Sequence, residues 1–278
     1  MDRSDRPLVS IICSVHNAGR FLDEAVRSVR AQDHADWELL IGCDGCTDDS
    51  AAIAHAHAAE DPRVRVFELP KRGLSATRNH LLAASVGDFI CMFDGDDVMP
   101  RRSVSSRLHV LLSDPSVCFA DGAVEYKNAD LSRTTGFYHP MYRGEPLPLL
   151  LRQDKRCFFG NTWMIRRLPR VRYHFDEELT HGEDLFFYIS IAQGRTYDHT
   201  DEVVLHYRRS GNSLMNDLRG LENGYAILYR KIIALHSTGI VGRWSLKFRF
   251  IRYMALGYLK HYRSVRNFFR VTFRYLRM

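Results

Sequence analysis

Phe89-Ile90-Cys91-Met92-Phe93-Asp94-Gly95-Asp96-Asp97 is the stretch whose reading decides the fold. Its first five residues are apolar and flanked by breakers, the signature of a short buried strand. Three carboxylates and a glycine follow at once. Carboxylates crowded at a strand end repel one another and lose hydration, so a cation is expected among them. Hard divalent ions such as Mg²⁺ or Mn²⁺ take oxygen ligands, and they bind substrate phosphates through only one or two protein carboxylates. Gly95 would let the backbone approach a ligand closely. An acidic turn that merely ends a strand is the plainer alternative. The ligand reading is preferred because ligands of open parallel sheets gather at strand C-termini.

Outward from this stretch, strands and helices alternate with short connections. Upstream, residues 8–16 (LVSIICSVH) read as a first strand, and 20–32 as a helix with Leu22, Ala25, Val26 and Val29 on one face. Residues 37–42 form a second strand that runs into Cys43-Asp44-Gly45-Cys46-Thr47-Asp48-Asp49-Ser50, where Thr47 or Asp48 is a candidate cap for the next helix. A third strand spans 63–68, and Gly73-Leu74-Ser75-Ala76-Thr77-Arg78-Asn79 opens a helix that ends at Gly87. Downstream, Pro100 precedes a helix, and a strand follows at 117–120. This order predicts an α/β fold, a Rossmann-like and mostly parallel sheet flanked by helices. Asp44 and Asp94 then both fall just past strand C-termini and share one crevice.

From Val124 the pattern loosens. Residues 124–156 read as an irregular insertion, and 157–165 return to a strand. His181-Gly182-Glu183-Asp184-Leu185-Phe186-Phe187-Tyr188 opens a helix with an acidic pair in its first turn, and 203–207 form a further strand. The rest is helical in period, basic and aromatic. Two regions are therefore expected: 1–212, the α/β domain, and 213–278, a C-terminal helical extension.

Composition supports a globular chain of 278 residues, 45% hydrophobic and 26% charged. Six scattered cysteines, several within predicted strands, point to reduced thiols in a cytoplasmic protein. The Cys43/Cys46 pair lacks a second pair at zinc-site spacing. No secretory signal or membrane-spanning run is visible. The formal charge of +6 hides an asymmetry. Beyond Glu222 there are twelve lysines and arginines and no acid, so that tail carries +12 and residues 1–222 carry −6.

Five elements in order resemble glycosyltransferase family 2 with the GT-A fold: VSIICSVHNAGRFLDEAVRSVRAQ, DGCTDDS, GLSATRN, DFICMFDGDD and GEDLFF. They cover most of residues 8–190. The resemblance implies an inverting transferase that uses a nucleotide-activated sugar, here a UDP-sugar, and a divalent cation, Mn²⁺ or Mg²⁺. It implies that Asp44 reads the uracil edge and that Arg78 contacts the nucleotide. Asp94 matches the first acid of the DxD motif, near ribose and diphosphate. Asp96 matches the second acid, the metal ligand. Asp184 matches the catalytic base, with Glu183 beside it. Three positions depart from the family pattern. Cys43 stands where a first acid is common, and Cys46 where a serine is. Ser210 stands where a YRxH histidine often completes the metal site, which makes His206 the substitute candidate.

Each residue also has a plainer role open to it. Asp184 could serve the helix dipole, Asp44 could shape a turn, Arg78 could pair with a surface acid, and His206 could satisfy a local hydrogen bond. Trp163 is either an acceptor-stacking ring or core. In the tail, aromatics (among them Trp244, Phe248, Phe250, Tyr253, Tyr258, Tyr262, Phe268, Phe269, Phe273 and Tyr275) interleave with cations. That pattern favours peripheral attachment to the inner face of the plasma membrane over nucleic-acid binding, against an ordinary helical cap. The tail is also a surface on which copies of the chain could pair as a homo-oligomer. The expected acceptor is a glycan or lipid-linked glycan of cell-envelope polysaccharide synthesis. Two other classes stay open: a sugar nucleotidyltransferase, and a non-catalytic basic module for membrane or nucleic acid.

Overall fold

The computed structural model describes residues 7–209, 218–235, 244, 246–252, 254, 258 and 265–277. The order is β1 (Val9–Val15), α1 (Gly19–Arg30), β2 (Trp37–Asp44), α2 (Ser50–Glu60), β3 (Val64–Leu69), α3 (Leu74–Ala84), β4 (Phe89–Asp94) and α4 (Ser103–Ser113). Then come β5 (Val117–Asn128), β6 (Thr134–Tyr138), α5 (Leu147–Leu150), β7 (Met164–Arg166), α6 (Glu183–Ala192), β8 (Thr196–Arg209), α7 (Leu218–Leu235) and α8 (Val265–Arg277). One sheet runs in the order β3-β2-β1-β4-β7-β5-β6, with β8 on β5. The β3, β2, β1 and β4 neighbours are parallel, as is β5 with β8. The short β7 runs against both β4 and β5.

The period-two alternation of the strands separates two apolar layers. Ile11, Cys13 and Val15 of β1, with Phe89, Cys91 and Phe93 of β4, bury against Leu22, Val26 and Val29 of α1 and Val104 and Leu108 of α4. Ile12, Ile90 and Met92 face the other way, in a cluster that continues through Leu81, Phe187, Leu228, Phe250 and Tyr275. The described C-terminal helices thus share a continuous buried cluster with one face of the sheet.

Three expected boundaries shift. The strand expected at 117–120 continues to Asn128 and turns into β6, so a hairpin occupies the start of the predicted irregular insertion. Charged residues there hid the strand, but they pair locally: Lys127 with Glu125 at 2.9 Å, and Glu125 with His206 at 3.0 Å. The strand expected at 157–165 shrinks to Met164–Arg166. The strand expected at 203–207 begins at Thr196. Neither Thr47 nor Asp48 is the cap residue of α2, which is Asp49. Asp48 instead accepts the N–H of Gly19 and the N–H and hydroxyl of Ser50, fastening the starts of α1 and α2 together.

The C-terminal helices bear on the start of α6. Gly182, at φ 72°, is the N-cap of α6, and a Cβ there would come 2.9 Å from Leu228 of α7. A Cβ at Gly224 of α7 would come 2.8 Å from His181 Cβ and 3.1 Å from its carbonyl oxygen. Both glycines are needed for this close approach. Gly224→Val is expected to cost about 1–3 kcal/mol through overpacking. It should also shift the His181–Gly182 turn, read as a lower Tm in a thermal melt.

Candidate active site

Asp44 closes β2 and Asp94 closes β4, and β1 lies between those strands. Topology therefore brings the two acids to one edge of the sheet, as expected. Asp96 and Asp97 follow in the tight turn after β4, where Asp97 N–H donates to the Asp94 carbonyl at 3.1 Å. Gly95 answers to packing: a Cβ would meet Val15 Cγ2 at 3.0 Å and Leu22 Cδ1 at 3.3 Å. Its small size seats the acidic turn on the core.

Arg78, from the second turn of α3, is buried with 2% exposure. Its Nη2 donates to Asp94 Oδ1 at 3.0 Å and its Nη1 to Glu183 Oε1 at 3.1 Å. The guanidinium also lies 5.1 Å from the centre of the Phe175 ring, which stacks on Phe187 at 4.2 Å. The surface-acid role open to Arg78 is thereby replaced by a buried bridge between Asp94 at the end of β4 and the first turn of α6. Asp184, beside Glu183, has its carboxyl pushed up to about 7 by burial and then by the charge of Glu183. Leu185 N–H donates to its Oδ1 at 2.7 Å, and Gly160 lies against its Oδ2. A carboxyl held near neutrality at the head of a helix is suited to proton transfer at physiological pH.

Asp44 accepts the N–H of Arg72 at 2.7 Å and of Gly73 at 3.0 Å, just ahead of α3. It therefore fixes the start of the helix that carries Arg78. A carboxylate oxygen keeps a second acceptor site, so these bonds leave capacity for a ligand N–H. His206 is placed by β8 opposite Glu125 and pairs with it, with Nε2 to Oε2 at 3.0 Å. The structure thus gives His206 a carboxylate partner on β5 and shows no contact between it and Asp96. Ser210 lies outside the described residues. Trp163 is fully buried among Tyr188, Tyr197 and Phe119 and donates its Nε1–H to the Cys157 carbonyl. It is core, not an acceptor platform.

Arg208 is the residue that sequence reasoning passed over. Its N–H donates to Asp97 Oδ1 at 2.8 Å, its Nε to the Asp96 carbonyl at 2.6 Å and its Nη2 to Glu24 Oε2 at 2.6 Å. It stitches β8 and α1 to the acidic turn. The available signal was its place in Tyr207-Arg208-Arg209-Ser210, but nothing in a strand of mixed residues says which neighbour an arginine will reach.

A divalent cation needs oxygen ligands short of a protein counter-charge, and Asp96 fits. Burial, then the charge of Asp94, pushes its carboxyl up to about 6. Arg208 spends its Nε on the backbone carbonyl of Asp96, and among the described residues no ion pair reaches the Asp96 carboxylate. Asp97 is likewise pushed well above the usual carboxylate range by burial and by the charges of Asp96 and Asp94. Among the described residues no three His, Cys, Asp or Glu side chains gather as a complete metal cage.

The sequence profile of glycosyl transferase family 2 matches residues 10–170. The chain belongs to glycosyl transferase family 2. An uncharacterized glycosyltransferase, EpsJ of Bacillus subtilis (strain 168), is 30% identical over 223 residues, covering 75% of this chain and 63% of EpsJ. TuaG of the same organism, named for teichuronic acid biosynthesis, is 26% identical over 242 residues, 83% of this chain and 90% of TuaG. The chain spans about a third of the length of other, longer relatives. In structure it is similar to S. aureus TarS, residues 1–349, solved with UDP-GlcNAc. The TM-score is 0.71 at 15% identity, over 97% of this chain and 80% of TarS. That likeness shows the GT-A fold. As a member of a transferase family the chain is an enzyme, and the nucleotidyltransferase and non-catalytic alternatives lose their footing.

The Arg78 bridge makes a direct prediction. Arg78→Met strands two carboxylates, and breaking a buried pair costs roughly 3–5 kcal/mol. Asp94 is 40% exposed, so about 3 kcal/mol is expected, measured by urea unfolding.

Proposed function

We propose that the chain moves a sugar from a UDP-sugar to a hydroxyl of a glycan or lipid-linked glycan, inverting the anomeric centre. The proposed setting is cell-envelope polysaccharide synthesis on the cytoplasmic face of the membrane, with Mn²⁺ or Mg²⁺ required. The observation that carries this reading is the pair Glu183–Asp184 tied through Arg78 to the acidic turn of β4. One frame then holds an acid for the incoming alcohol and acids for the departing diphosphate. Family membership supports sugar transfer, a TarS structure holding UDP-GlcNAc supports a nucleotide-sugar donor, and a relative named for teichuronic acid biosynthesis supports the setting.

In the proposed reaction the acceptor oxygen attacks the anomeric carbon while its proton passes to Asp184. The bond from that carbon to the diphosphate oxygen breaks on the opposite face, and UDP leaves with the electron pair. Asp184 supplies a base near the working pH because burial and Glu183 hold its proton affinity up. Glu183 stays paired to Arg78 beside Asp184. Asp44 orients the base of the donor through its remaining acceptor sites, and Asp94 faces the ribose and diphosphate. Asp96 would hold the divalent cation, whose contribution is to neutralise charge on the leaving diphosphate.

Three outcomes are expected. Asp184→Asn should lower kcat by about 10²–10⁴-fold, the range for a general base, with UDP affinity retained by calorimetry. In the parent enzyme kcat/KM should rise as pH climbs through about 7, because the base works deprotonated. That rise should vanish in Asp184→Asn, and a flat parent profile would remove Asp184 from the role. Chelation with EDTA should stop turnover and Mn²⁺ should restore it, whereas Asp96→Asn should need far more Mn²⁺. A thermal-shift screen of nucleotide sugars, with and without Mn²⁺, identifies the donor.

A further inference from the structure

The last acid of the chain is taken out of play by the fold. Glu222 on α7 is 2% exposed and accepts Arg270 Nη1 at 2.9 Å and Nη2 at 2.6 Å, Arg274 Nη1 at 2.6 Å and the Tyr258 hydroxyl at 3.0 Å. Tyr275 donates its hydroxyl to the Glu222 carbonyl at 3.0 Å. This clamp fixes the rotation of α8. Val271 and Tyr275 go into the core, and Phe269, Phe273 and Leu276 face outward at 53%, 58% and 39% exposure. Their spacing puts them on one stripe of the helix.

A second pair of exposed rings lies alongside. Trp244 and Phe248 are 45% and 57% exposed, with ring centres 5.8 Å apart. Lys247, between them, donates its Nζ to the Leu276 carbonyl at 3.4 Å and lies 4.7 Å from the Trp244 ring. That bond sets Trp244 and Phe248 beside the C-terminal end of α8 and joins the two stripes into one face. Arg249 and Arg252 are exposed on the same helical segment, Arg249 with its Nη1 on the Arg152 carbonyl at 2.8 Å and its other nitrogens open among the described residues. No helix among the described residues is long and apolar enough to cross a membrane.

We propose that this face, Trp244, Phe248, Phe273 and Leu276 with Arg249 and Arg252, docks the enzyme onto an anionic lipid surface. Rings enter the headgroup–acyl boundary and the cations lie against lipid phosphates. Charge complementarity selects this occupant. The chain beyond Glu222 holds twelve cations and no acid. Lys231, Arg270 and Arg274 are answered by acids. The remaining excess of positive charge favours an anionic surface over the same face of a second copy, which carries the same sign. The proposal gains its biological sense from the lipid-linked acceptor, but its test needs no sugar transfer.

The chain has three tryptophans, and Trp37 and Trp163 are 1% and 0% exposed. Fluorescence changes on lipid binding therefore report Trp244. The full chain is mixed with phosphatidylcholine vesicles with and without phosphatidylglycerol, across a salt series, beside sedimentation and light scattering. Expected are a blue shift and co-sedimentation with anionic vesicles only, weakening with salt. Phe248→Ser with Phe273→Ser should abolish the blue shift, and Arg249→Gln with Arg252→Gln should cut vesicle affinity about fivefold or more. UDP binding should stay unchanged in both, and Tm in the phenylalanine pair, whose side chains are exposed. Arg249→Gln also gives up the bond to the Arg152 carbonyl, so vesicle affinities are compared at a temperature where both variants are folded. Absence of binding to anionic vesicles by a chain that still binds UDP overturns the proposal and leaves the transferase reading standing. A dimer dissolved by Phe248→Ser with Phe273→Ser, or salt-sensitive binding to a single-stranded oligonucleotide without vesicle binding, overturns it as well.

Discussion

A single guanidinium holds the candidate site together. Arg78 is buried between carboxylates that come from elements far apart in the chain, Asp94 at the end of β4 and Glu183 at the head of α6. Burying one charge is costly, and burying it between two opposite charges with hydrogen bonds to each is what makes it tolerable. Arginine suits this place better than lysine. Its planar fork reaches two acceptors at once, stays ionised when desolvated and packs its face on Phe175. Removing the bridge would free two acids to repel each other and Asp184 as well.

The positions of the partners follow from that bridge and from what fixes its ends. Asp44 sets the start of α3 and so aims Arg78. Arg208 anchors the acidic turn by holding the Asp96 carbonyl and the Asp97 carboxylate, and its own charge is answered by Glu24. That arrangement leaves the Asp96 carboxylate without an ion pair among the described residues. On the other side, Gly182 and Gly224 let α7 press directly on the turn that launches α6.

Continuity of packing also links the C-terminal face to the chemistry. Arg270 and Arg274 of α8 close on Glu222, two residues before Gly224, and Gly224 abuts His181 ahead of Glu183 and Asp184. The exposed face of α8 and a pair of acids are thus separated by one helix. The same clamp explains why a basic, aromatic tail divides its rings. Phe250, Tyr258 and Tyr275 complete the core, and Trp244, Phe248 and Phe273 stay outside.

The strand-then-acid pattern at 89–97, its alternation with amphipathic helices and the ordered family motifs determined the GT-A sheet and the placement of Asp44 and Asp94 at strand ends. Such features are local: apolar period and turn chemistry act within a few residues. The family resemblance likewise singled out Asp96, Glu183 and Asp184 by position. Only the tertiary structure decided what those side chains meet. It turned Arg78 into a bridge, gave His206 to Glu125 and put Trp163 in the core. It extended β5 through charged residues that read as loop, because Lys127 pairs with Glu125 on the same strand and Glu125 reaches His206 on β8. Burial and ion pairing depend on elements tens of residues apart, and the pattern of one segment carries no record of which neighbour it will face.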